Sequence, residues 1–301
     1  MAQSFQSDLS EPLGRVATTG DQRRKVLVTG SAGNIGRYFA KHAGEKYDLR
    51  LMVREMDADA QELREYGEVV VADLGDLDSL RKVCQGIDTV LHMAGVPDPS
   101  ATWSDLLQGN IVGTYHMMVA AKGAGCRRVV LASSIHAVSG YPADVQVKTT
   151  DPVHPGDLYG VTKCFSEALG RYMASQEGLS VLAIRIGAFQ PLEAAQHYDY
   201  SLSMLDAFVS ERDMQQLLEK AIDVEGLKFG IFHGLSDNRF KRLDITDARE
   251  LLGYKPQDDS VAESPQLKPL DLRQQIAEHS MQDSRQESGL RDELPAGAPS
   301  A

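Results

Sequence analysis

The chain predicts an α/β fold: a Rossmann-type doubly wound parallel sheet with a small C-terminal substrate-binding portion. Three observations point there. Apolar runs of strand length alternate with amphipathic helical stretches along most of the 301 residues. The runs are near-continuous rather than alternating, as strands covered on both faces require. The first run, Lys25-Val26-Leu27-Val28, leads straight into Thr29-Gly30-Ser31-Ala32-Gly33-Asn34-Ile35-Gly36.

Strands are expected at 25–29, 49–53, 68–72, 87–93, 127–132, 179–186 and 227–232. Helices are expected at 34–44, 79–85, 103–124, 157–177, 210–222 and 246–252. In the first helix Ile35, Phe39 and Ala43 return at helical spacing. Trp103 should open the third helix and pack there, with Met117 and Met118 as core or dimer-face residues. Ser210 with Asp213 makes a capping-box-like start for the fifth. Residues 1–22 and 259–301 are polar and aperiodic, so a disordered N-terminal extension and a disordered or weakly helical tail are expected. A short exposed helix at 270–285 fits that tail. Residues 23–258 form the dinucleotide-binding domain, with a small substrate lobe over about 188–258.

A hydrophobic content of 42% suffices for a full core. A net charge of -12 argues against nucleic acid or an anionic membrane as partner. No stretch is long and apolar enough to span a bilayer. Residues 1–24 lack an apolar signal core, and Asp8 and Glu11 speak against a transit peptide. Cys84, Cys126 and Cys164 are too few and too irregularly spaced for a disulfide framework or a metal site. A soluble, reduced, cytoplasmic protein is expected.

Two motifs carry chemistry. Gly30, Gly33 and Gly36 let the chain turn tightly off a strand and open a helix whose free amides attract a pyrophosphate. Glycine triplets alone are weak evidence, because turns collect glycine for steric reasons; the strand before and the helix after give this one its weight. The second motif is Tyr159-Gly160-Val161-Thr162-Lys163. Residues i and i+4 share a helix face, so the Lys163 ammonium should favour the Tyr159 phenolate and lower its pKa. Tyr159 can then exchange a proton with a substrate hydroxyl while a hydride moves to or from a nicotinamide. The same spacing occurs by chance on solvated helix faces; Ala132-Ser133-Ser134 ending a strand between the two motifs makes chance a poor account. Cys164 points about 100° away from Lys163 around the helix and is expected to be a structural thiol.

The chain resembles the extended short-chain dehydrogenase/reductases, the NAD-dependent epimerase/dehydratase superfamily. The matching motifs are Thr29–Gly36, Asp73-Leu74, His92-Met93-Ala94-Gly95, Asn110-Ile111-Val112-Gly113-Thr114, Ser133-Ser134, Tyr159-x-x-x-Lys163 and Arg185-Ile186-Gly187. Within it the chain is most similar to the uronate dehydrogenase branch, which includes an archaeal-type glucose-6-phosphate dehydrogenase. Ser133-Ser134-Ile135-His136, Gly234-Leu235-Ser236-Asp237-Asn238 and the run from Leu251 to Asp258 carry that similarity. The resemblance implies Tyr159 as proton donor and acceptor, Lys163 as its partner and a ribose ligand, and Ser134 on the reacting oxygen. It implies that Asn110 helps shape the active-site helix, and that Asp73 and Leu74 flank the adenine. Met93, Ala94 and Gly95 would line the pyrophosphate and ribose, Ile186 would belong to the cofactor site, and Ile135, His136 and Ala188 would face substrate. Helices 103–124 and 157–177 commonly pair in such families, implying a homodimer.

Three departures bear on cofactor and substrate. Arg54 falls where an acid usually accepts from the ribose 2′-hydroxyl, and a guanidinium suits a 2′-phosphate, so NADP is favoured; a one-residue shift would place Glu55 there and restore NAD. Ile135 replaces a polar residue and cannot hydrogen-bond. Ser203 stands where the branch holds the substrate carboxylate with arginine, and a serine contact is not charge-assisted; Leu192 to Tyr198 also reads as an insertion. A neutral or phosphorylated sugar, or another small alcohol, is therefore expected rather than a uronate. A nucleotide-sugar epimerase or dehydratase would use the same tyrosine and lysine but needs a larger C-terminal lobe. A non-catalytic dinucleotide-binding regulator or scaffold would bind the cofactor and turn nothing over.

Overall fold

Seven parallel strands in the spatial order β3-β2-β1-β4-β5-β6-β9 form the central sheet of the computed structural model, which describes residues 23–197 and 202–270. The strands are β1 (Lys25–Thr29), β2 (Asp48–Val53), β3 (Glu68–Val71), β4 (Thr89–His92), β5 (Arg128–Ser134), β6 (Ser180–Ile186) and β9 (Phe229–Gly234). The chain reverses its direction across the sheet between β1 and β4, which pair with Thr29 opposite His92. Ligands of such sheets sit in the crevice beyond the carboxyl ends at that reversal.

Side-chain alternation along the strands divides the core. Val26 and Val28 pack with α1 (Asn34–Ala43), α7 (Glu211–Asp223) and α8 (Thr246–Leu252). Leu27 turns the other way, toward α3 (Leu77–Val83), α5 (Gly113–Gly123) and α6 (Leu158–Ser175). Met117 and Met118 lie wholly inside this second layer. Arg128 is buried at the start of β5, where its guanidinium donates to the carbonyls of Ala221 at 2.9 Å and Leu227 at 3.0 Å. It thereby satisfies an acceptor at the C-terminal end of α7.

The strands fall within two residues of the expected bounds, but four features differ from expectation. The helix expected at 79–85 runs from Leu77 to Val83, because the Asp76 side chain accepts from the amides of Asp78 and Ser79 and starts it earlier. The long helix expected at 103–124 is interrupted: α4 (Trp103–Leu106) gives way to a π-helical stretch, Leu107–Val112, before α5. Trp103 is 50% exposed rather than packed, since it occupies the first turn after the Thr102 capping box. A second, two-stranded parallel sheet joins β7 (Ala188–Gln190) to β8 (Phe208–Ser210).

Two short helices were not placed individually. Asp57 caps α2 (Ala58–Glu62), and Asp259 caps α9 (Ser260–Glu263). The second lies in the segment expected as tail, yet Val261 and Leu267 are buried and Arg239 pairs with Asp259 at 2.7 Å. Packing against the lobe orders these residues. The Ser210 hydroxyl accepts from the Asp213 amide, but the Asp213 carboxylate accepts from Ser236 instead of closing a capping box. The expectations for 1–22 and for a helix at 270–285 concern residues that lie, apart from Leu270, outside the described ones. No helix among the described residues is long and apolar enough to cross a membrane.

Candidate active site

A single cleft of about 1140 Å³ runs along the carboxyl ends of the strands, from the glycine turn to Tyr159. At its floor Gly30 has φ +68, and a Cβ there would stand 2.9 Å from the Ala94 amide nitrogen. A Cβ on Gly36 would stand 2.3 Å from the Gly30 carbonyl. Only glycine permits β1, α1 and β4 to approach so closely. Gly33 is the N-cap of α1 with no side-chain cap, and the first turn carries no acid. Exposed Gly33 and Asn34 therefore leave first-turn amides open to the cleft beside Ile35, a cradle that fits a pyrophosphate. The Thr29 hydroxyl ties the two strand ends together, accepting from the Ala94 amide at 3.1 Å and meeting His92 Nδ1 at 2.9 Å.

The end of the cleft expected to take the adenosine is built from β2 and β3. Strand β2 ends at buried Val53, the end expected for it. Arg54 is the next residue, exposed and lining the cleft together with Glu55 and Asp57. Asp73 and Leu74 follow β3 on the same wall, and Asp73 Oδ1 accepts from the Gly75 amide at 2.7 Å.

Met93, Ala94 and Gly95 line the middle of the cleft. Asn110 lies behind them, outside the lining and buried. Its Oδ1 accepts from the Val96 amide at 2.7 Å, and its Nδ2 donates to the Val96 carbonyl and to Thr162 Oγ1, each at 3.1 Å. One side chain so joins the loop after β4 to the N-terminal part of α6, and it does so from the π-helical stretch. Such single-turn widenings recur at functional sites.

At the far end Tyr159, Lys163 and Ser134 converge, all buried and all lining the cleft. The Lys163 ammonium donates to the Ala132 carbonyl at 2.8 Å and stands 5.3 Å from the Tyr159 ring centroid. Ser134 Oγ accepts from the His136 amide at 3.2 Å. The expectation that lysine lowers the phenol pKa is reversed in this cleft. Burial raises it, Asp157 adds to the rise, and only the Ser134 hydrogen bond opposes. Burial also pulls Lys163 itself down to about 8, against the opposing charge of Glu167.

Ile135, His136, Ile186 and Ala188 line the cleft with Phe189, which pattern reasoning missed because β7 is too short to announce itself. Exposed Ser203 does not line the cleft. Asp157, also missed, accepts from the Gly160 amide at 2.7 Å and holds His136 Nδ1 at 2.6 Å. An aspartate two residues before a helical tyrosine reads simply as a cap. Burial raises the Cys164 thiol to about 11, and its Sγ contacts the Ala137 carbonyl at 3.6 Å, as for an unreactive thiol.

Comparison with known proteins agrees with this geometry. The chain is 35% identical over 260 residues to an NAD-dependent glucose-6-phosphate dehydrogenase of Haloferax volcanii, covering 82% of this chain and 98% of that protein. It is 32% identical to the L-arabinose 1-dehydrogenase (NAD(P)(+)) of the same organism, over 78% of this chain and 97% of the relative. The crystal structure of uronate dehydrogenase from Agrobacterium tumefaciens superposes with a TM-score of 0.71 at 28% identity, covering 82% of this chain and 89% of that one. Residues 26–190 match the model of the NAD dependent epimerase/dehydratase family, and the chain belongs to that family.

Proposed function

We propose that this chain is a nicotinamide-dinucleotide-dependent dehydrogenase acting on a hydroxyl group of a sugar. The observation that carries the proposal is the continuity of one cleft from the glycine turn to Tyr159, Lys163 and Ser134. A bound nicotinamide would supply the hydride acceptor. The chain's residues do the rest. Tyr159 takes the hydroxyl proton, Ser134 on the same wall orients the reacting oxygen, and Lys163, 5.3 Å from the Tyr159 ring centroid, holds a ribose hydroxyl. Asn110 keeps the N-terminal part of α6 in place through Thr162.

NADP is the preferred cofactor. Arg54, the first residue after β2, is exposed on the cleft wall, where a guanidinium suits a 2′-phosphate. The substrate is a neutral or phosphorylated sugar rather than a hexuronate, because among the described residues the substrate end offers His136 and Lys163 but no arginine. Exposed Tyr115 on α5, with Leu158, Val161 and Tyr172 on α6, supports a homodimer through those helices. The test is reduced-nicotinamide absorbance across aldoses, sugar phosphates and hexuronates with each cofactor. Hexuronates as the best substrates would overturn the substrate assignment, and no turnover of any sugar would overturn the enzyme.

A further inference from the structure

Asp157 does two things at once. As N-cap of α6, its Oδ1 accepts from the Gly160 amide at 2.7 Å and so anchors the turn that carries Tyr159. Its Oδ2 stands 2.6 Å from Nδ1 of His136, on the short 3₁₀ turn that follows β5. The His136 ring meets Tyr159 edge-on, with centroids 5.5 Å apart and planes at 66°. The His136 amide donates to Ser134 Oγ at 3.2 Å, so this histidine touches both residues expected on the reacting oxygen. His136 lines the cleft, and its Nε2 has no hydrogen bond among the described residues.

An ionised carboxylate accepts and cannot donate. The hydrogen between Oδ2 and Nδ1 therefore sits on the ring, and neutral His136 is held as the Nδ1–H tautomer with a lone pair on Nε2. We propose that Asp157 is a positioning residue for substrate recognition. By fixing that tautomer, it makes His136 Nε2 an acceptor for a second substrate hydroxyl, beside the one that Tyr159 deprotonates. The proposal rests on the dehydrogenase reading and narrows its substrate class to vicinal diols. Ile135, the neighbouring side chain on that turn, cannot serve instead. Because one carboxylate holds both the helix start and the imidazole, the acceptor and the phenol keep a fixed relation, which a diol can recognise and a simple alcohol cannot.

The discriminating variant is Asp157→Asn. Asparagine caps helices as well as aspartate, so α6 keeps its start. Its amide nitrogen, however, donates to Nδ1 and drives the proton to Nε2, turning an acceptor into a donor. Nitrogen NMR of the imidazole in alkaline buffer should show Nδ1–H in the parent and Nε2–H in Asp157→Asn, at unchanged Tm. KM for a vicinal-diol sugar should rise about tenfold while KM for a mono-hydroxyl alcohol is unaffected; kcat is not the readout, because losing the Asp157 charge also relieves the rise in the Tyr159 pKa. His136→Ala should show the same KM, and the double variant no further loss. An Nε2–H parent, an unchanged KM in Asp157→Asn, or additive losses would overturn the proposal. If the parent oxidises no sugar, the dehydrogenase reading falls separately; the same sugars titrated against the His136 nitrogen shifts then decide this inference, and shifts that do not move defeat it.

Discussion

Glu167 on α6 grips Arg185 on β6 with both carboxylate oxygens, at 2.8 and 2.9 Å, and both side chains are buried. Ser133 donates to the same carboxylate at 2.6 Å, and Arg185 reaches His233 Nε2 at 3.4 Å. His233 Nδ1 donates to the Asp244 carbonyl at 2.7 Å, and burial holds the ring neutral with a pKa of about 4. The helix bearing Tyr159 is thus tied to the sheet one turn beyond Lys163. Glu167→Gln breaks a buried pair and leaves Arg185 uncompensated, so it should cost about 3–5 kcal/mol of stability. Urea denaturation checks this; a loss under about 1 kcal/mol would count against a buried uncompensated charge.

Tyr159→Phe removes the proton-accepting oxygen and should lower kcat by about 10²–10⁴ while leaving dinucleotide affinity intact. In the parent, alcohol oxidation needs the phenolate. Since burial places the phenol above its ordinary value, kcat/KM for oxidation should climb with pH through the alkaline range. A pH profile that flattens near neutrality would show another group acting as base.

Lys163→Met tests the burial of a cation. In the folded protein Lys163 titrates at about 8, against an ordinary 10.5. Between those values the unfolded chain holds a proton that the folded chain has lost, so this residue's contribution to stability rises with pH across that window. Below it both states are protonated and the full cost of burying charge applies. The methionine variant should therefore be inactive but melt higher than the parent at neutral pH. The gap should shrink above the window, as calorimetry across the pH range will show.

Arg54→Ala should weaken NADP about 10- to 100-fold, the worth of a charge-assisted hydrogen bond to phosphate, and change NAD by about twofold or less. Equal losses for both cofactors, measured by titration, would remove Arg54 from the 2′-phosphate site.

The strands were legible because buried parallel strands leave uninterrupted apolar runs, as in Val26–Val28 and Val181–Ile184. The cleft was legible because glycine spacing and Tyr159-x-x-x-Lys163 follow from geometry that tolerates few alternatives. Other features left fainter traces. The caps Asp57 and Asp259 begin helices too short for periodicity. The π-helical stretch that carries Asn110 leaves no pattern of its own. Spacing puts Lys163 beside Tyr159 correctly but carries no information about how dry their surroundings are, and dryness decides the direction of both pKa shifts.

The small β7–β8 sheet clamps Ala188 to Phe208 and Gln190 to Ser210, so both ends of the intervening segment are pinned to the scaffold. Phe189, inside the clamp, already borders the cleft. In that segment Ala195 and Met204 pack with Phe208 in a small cluster of their own, apart from the two layers that flank the central sheet. Whatever alters the packing of that cluster is thereby transmitted to one wall of the cleft before it reaches the strands.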